Sequence, residues 1–145
     1  MLLGSSLAGM AFANAPVGAA HALAYPLGTQ FKVPHGLSVS LMLPHVMRFN
    51  AYDPSATKLY SSIADTVLEH IDLAATDDGK ARQLIDYFSR LPQELGLPTH
   101  LAEVGVSDTD VPSMAAEAML QTRLLPNNVR HVSRTEALDI YHAAM

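Results

Sequence analysis

Apolar positions along this chain recur mostly at helical spacing. Leu59, Ile63, Val67 and Ile71 follow one another at intervals of four, the mark of an amphipathic helix over roughly 54–70. Asp53 and Pro54 supply its N-cap and first helical residue. Asp77 and Asp78 open a second such helix, where negative charge complements the N-terminal dipole. Leu84, Ile85, Phe88 and Leu91 give it an apolar face, and Pro92 is expected to end it. A helix from Pro112 to about Gln121 carries Met114, Ala118 and Leu120. The last, 134–144, starts at a capping box formed by Ser133 and Glu136.

The N-terminal third is more uniformly apolar. Residues 1–13 read as a helix of Ala, Leu, Met and Gly, and a second helix runs from Pro16 to about Leu27. A third stretch, 37–50, holds Leu37, Val39, Leu41, Met42, Leu43, Val46, Met47 and Phe49, with a kink expected at Pro44. The alternation Leu37, Val39, Leu41 also fits a strand, but the apolar run is too long for most strands. Connectors fall at 28–36, 91–106 and 124–132, where Gly, Pro or Asn gather. No segment reads convincingly as a strand, so the expected fold class is all-α.

Composition changes this picture in two ways. A chain of 145 residues fits one domain, and the absence of cysteine excludes a disulfide scaffold and a thiol nucleophile. The net charge of −5 argues against nucleic-acid binding, which needs a basic face. The charge is also uneven, because residues 1–52 hold no Asp or Glu and all 14 acids lie from Asp53 onward. The first third is therefore expected to be buried, inside the domain or against something outside this chain. The start, MLLGSSLAGMAFANA, has an apolar run and small residues at Ala11, Ala13 and Ala15 like an export signal, with cleavage after Ala15. No Lys or Arg precedes Lys32, so the basic n-region of such a signal is missing. Gly4, Gly9, Asn14 and Pro16 interrupt the run before it reaches membrane-spanning length. The expectation is a cytoplasmic protein with no membrane segment and a first helix packed in a core.

Candidate chemistry is confined to the histidines. The chain holds no G-x-G-x-x-G, no P-loop and no G-x-S-x-G elbow. His21 lies on the second helix with Tyr25 one turn on, and His35 lies between Pro34 and Gly36 where the chain enters the third. Two histidines on adjoining helices can meet at one ion, since imidazole suits Fe, Zn, Ni and Cu. Two ligands are not a complete site, and a hydrogen-bonded pair is the plainer reading. His45 is expected in the core or at an interface, His70 and His142 near helix C-termini, His100 and His131 in loops. Met10, Met42, Met47, Met114 and Met119 read as core fillers.

The segments AFANAPVGAAHALAYPLG (11–28) and PHGLSVSLMLPHVMRFN (34–50) resemble the signature region of the iron-containing (group III) alcohol dehydrogenases. GLPTHLAEVGVSDTDVP (96–112), LLPNNVR (124–130) and SRTEALDIYHAAM (133–145) are similar to that family's tail. The resemblance covers essentially the whole chain. It implies a helical bundle of the dehydroquinate-synthase-like α-domain type over 1–145, the C-terminal third to half of such an enzyme. The nucleotide-binding domain, which would bring NAD or NADP, is absent from these residues. It implies an Fe2+ or Zn2+ ion held by an Asp, a His four residues later and two further histidines, the last two matching His21 and His35. The metal acts as a Lewis acid while hydride passes between a small alcohol or carbonyl substrate and the nicotinamide. Two departures stand out: no D-x-x-x-H is present, and Tyr25 occupies a position near the nicotinamide where many members carry a histidine. A phenol with an ordinary pKa of about 10 is a poor proton shuttle at neutral pH.

The leading expectation is thus the metal-binding part of an alcohol dehydrogenase, inactive on its own and homo-oligomeric. The alternative is a non-catalytic helical domain that self-associates through residues 1–20, since a large exposed apolar patch favours association.

Overall fold

The computed structural model describes residues 2–145, and all regular structure among them is helical. The helices are α1 (Leu2–Asn14), α2 (Ala19–Phe31), α3 (His35–Asn50), α4 (Pro54–Val67), α5 (Asp77–Glu94), α6 (Val111–Ala118) and α7 (Arg134–Ala144). Short 3-10 turns at Leu101–Val104 and Leu125–Asn127 interrupt the two long connectors. The all-α expectation therefore holds.

The helices form two layers that share α3. The main core lies among α2, α3, α6 and α7, around Leu23, Leu27, Leu41, Met42, Val111, Met114, Ala118, Ile140 and Tyr141. Tyr141 is fully buried, and its hydroxyl donates to the Leu23 carbonyl at 2.7 Å, which ties α7 to α2. The second layer packs α5 against the C-terminal half of α3 and α4 against α5, around Met47, Ala64, Leu68, Leu84 and Ile85. Helix starts in both layers are capped as expected: Asp53 accepts from the Ser55 and Ala56 N–H groups before α4, and Ser133 and Glu136 form the box before α7.

Several elements differ from the expectation. α2 begins three residues beyond Pro16 and runs past Gly28 to Phe31, with Pro26 inside it. α3 begins at His35 itself, and α5 continues through Pro92 to Glu94, with that ring buried. α4 turns the other way round. Leu59, Ile63 (46% exposed) and Val67 face outward, while Ala56, Thr57, Ser61, Ala64 and the following Leu68 face inward. The buried hydroxyls are satisfied, since Thr57 donates to the Ala51 carbonyl and Ser61 to Asp77. Small side chains at α-helical spacing let α4 approach α5 closely. Leu120 lies beyond α6 and is exposed.

The first helix contradicts its expectation most clearly. α1 buries no residue, and Leu2, Leu3, Leu7, Met10 and Phe12 are all exposed. It does not pack in the core of these residues, so Met10 is not a core filler. Among the described residues no single helix is long and apolar enough to cross a membrane. α1 and α2 together reach the length and hydropathy, but they are bent by 109° to each other.

Candidate metal centre

α2 and α3 are joined by Lys32, Val33 and Pro34, and this link brings the two histidines together. Lys32 adopts a left-handed conformation (φ 60°), and Val33 N–H bonds back to the Leu27 carbonyl at 3.1 Å, closing the end of α2. Val33 is buried, and Ser38 Oγ donates to its carbonyl at 3.2 Å. Pro34, at φ −55° and ψ 141°, is extended and unable to continue a helix backwards, so α3 starts at His35.

The rings of His21 and His35 lie with centroids 5.3 Å apart and planes tilted by 51°. Two imidazoles bound at ~2.0–2.1 Å to one tetrahedral ion have centroids about 5 Å apart, so this spacing fits a shared metal. His21 is half-buried and His35 exposed. Burial and, less strongly, the neighbouring charge of His35 hold the His21 pKa below its ordinary value. The neutral ring that this favours is the form that binds metal. The Tyr25 ring, half-exposed at 42%, stands 6.4 Å from His35. All three residues picked from the sequence thus share one surface. Among the described residues no group of three or more His, Asp or Glu side chains converges, whereas zinc sites take three or four protein ligands.

The remaining histidines do not join this cluster. His45 is half-buried on α3; burial, then Arg48 and His100, push its pKa down to about 4. His70 pairs with Glu69, His100 with Glu103 and His142 with Asp108, all at exposed positions. A groove of about 520 Å³ lies elsewhere, between α3, α4 and α5. Its Arg48 is already engaged, with Asp86 at 3.7 Å and Ser89 at 2.7 Å.

The chain matches the description "Fe-containing alcohol dehydrogenase family, C-terminal" over residues 1–145. The chain belongs to this family. It is 34% identical to a lactaldehyde reductase of Escherichia coli (strain K12) over 144 residues, which is 99% of this chain and 37% of that protein. It is 39% identical to a 1,3-propanediol dehydrogenase of Klebsiella pneumoniae, over 99% of this chain and 36% of that protein. The fold superposes on a crystal structure of a 1,3-propanediol oxidoreductase with a TM-score of 0.86 and 34% identity, over 96% of this chain and 35% of the other. The chain thus spans a little over a third of the length of these iron-containing alcohol dehydrogenase relatives.

Sequence reasoning missed one polar cluster beside the site. Asn50, the last residue of α3, and Asn128 exchange side-chain hydrogen bonds, at 2.7 Å and 3.1 Å. Asn128 also donates to the Arg130 carbonyl at 2.8 Å, and Arg130 lies over the Phe49 ring at 3.9 Å. Asn127 donates to the Val17 carbonyl at 3.0 Å, just ahead of α2. Asn50 and the Asn127–Asn128 pair fall in separate segments, PHVMRFN and LLPNNVR, and nothing in either points to the other.

Proposed function

We propose that this chain is the metal-holding helical part of an iron-containing alcohol dehydrogenase, with His21 and His35 as two of the ligands of an Fe2+ or Zn2+ ion. The observation that carries the reading is the 5.3 Å approach of two imidazoles on adjoining helices, in a chain of this family. The remaining ligands and the NAD or NADP site lie outside the described residues in this reading. When bound, the metal supplies Lewis acidity to the oxygen of a small alcohol or carbonyl substrate during hydride transfer. His21 and His35 hold the ion between the first turn of α2 and the first residue of α3. Tyr25 lines the same surface and is the candidate to meet the nicotinamide. Its phenol orients a neighbour by hydrogen bonding.

The test is metal binding by this chain and by His35→Ala, followed by calorimetry with Zn2+. The wild-type chain binds weakly, as two ligands dictate, and the variant loses that binding. Unchanged affinity in His35→Ala would make the residue structural and sink the reading. The chain alone turns over no alcohol with NAD or NADP, and robust turnover would contradict its incompleteness. A second reading, self-association through residues 1–20, is favoured by the exposed apolar side chains of α1. Light scattering that finds a strict monomer at high concentration would remove it.

A further inference from the structure

The main core packs α2 and α3 together, and two local anchors set the position of their ends. One is the Lys32–Pro34 link, and the other is the asparagine turn after α6. Asn127 holds the Val17 carbonyl, and Asn128 packs against Gly18, the residue that caps α2. A Cβ at Gly18 would stand 3.3 Å from the Asn128 Cα, so only glycine leaves the turn its place without crowding. The same Asn128 side chain is locked to Asn50, which is buried at the far end of α3. The turn therefore grips the start of one ligand-bearing helix and the end of the other.

We propose that Asn127 and Asn128 are positioning residues for the two-histidine site, setting where the His21 ring sits relative to His35. This rests on the reading of that pair as a metal site. His21 follows Gly18 by three residues, within one helical turn, so a displacement at Gly18 passes almost undiminished to the His21 ring. The far anchor at Asn50 keeps the axis of α3 from following that displacement. The turn touches neither imidazole. It acts on the site only through the backbone that carries them.

The experiment uses Cu2+–iminodiacetate, a probe whose open equatorial positions take two imidazoles. Its affinity is measured on this chain and on Asn127→Ala, Asn128→Ala, Gly18→Ala, His35→Ala and Leu84→Ala, each below its own unfolding midpoint. His35→Ala loses the two-point binding. Asn128→Ala and Gly18→Ala weaken it by about tenfold or more, the usual effect of removing a supporting partner of a ligand. Asn127→Ala weakens it in the same direction and keeps the test alive if Asn128→Ala does not fold. Leu84→Ala, which opens a cavity in the other layer, changes it by less than about twofold, as distant sites act independently. Wild-type affinity in the Asn and Gly variants, with binding lost in His35→Ala, overturns the positioning role alone. Unaltered binding in His35→Ala overturns the metal-site reading and this inference with it.

Discussion

His45 illustrates how strongly one side chain here is governed by its surroundings. It sits half-buried on α3, and burial, Arg48 and His100 push its pKa from the ordinary 6.5 to about 4. The folded state thus prefers the neutral ring, while the unfolded chain takes up a proton near pH 6.5. Between pH 6.5 and about 4 the unfolded state binds more protons, so stability falls as the pH falls through that window. The full shift corresponds to about 3 kcal/mol, and partial solvation of the ring reduces the expected loss to on the order of 2 kcal/mol. Denaturant titrations at pH 7 and pH 4.5 measure it, and His45→Gln is expected to flatten the profile. His21 is shifted the same way and leaves part of the slope in that variant. Equal slopes in both proteins would mean that His45 titrates normally.

At the scale of elements, the capping signals and the helix count were legible in the sequence, and the inward face of α4 was not. Asp53, Ser133 and Glu136 act on neighbours two or three residues away, so local pattern is enough to read them. The face of a helix is decided by what packs on it, and Ala56, Ser61 and Ala64 face inward where α5 comes close to α4 over small side chains. Ile63→Ala is therefore expected to cost less than ~0.5 kcal/mol, as at surface positions, and Leu84→Ala ~2–5 kcal/mol. Urea unfolding of the two variants decides it, and a large loss in Ile63→Ala would restore the outward stripe to the core. Pro92, expected as a stop, lies like Pro26 within the last two turns of its helix. There a missing N–H costs one bond of the ladder without ending it. The histidine pair was legible through spacing and family likeness together. The asparagine turn was not, because its three residues are scattered over 78 positions and meet only in the fold.

For the whole molecule, the acid-free N-terminal third divides into two fates. α2 and α3 meet the expectation of burial, holding Leu23, Leu27, Leu41 and Met42 at the centre of the core. α1 meets only its uncharged composition, since it covers nothing among the described residues. Removing residues 2–14 is expected to move the thermal midpoint by no more than about 2 °C, the shift of a change near 0.5 kcal/mol in a domain this size. Scanning calorimetry tests this, and a drop of several degrees would mean that α1 is a structural helix. The bond from Tyr141 to Leu23 spans 118 residues, whereas the helix pairs α2–α3 and α4–α5 join neighbours in the chain. Folding is slow where contacts are distant in sequence, because the closure of long loops comes before its reward. The two hairpins are thus expected to form before α7 docks. The main core stays open along one side until α7 arrives, so a chain made only as far as α6 still shows that side to solvent.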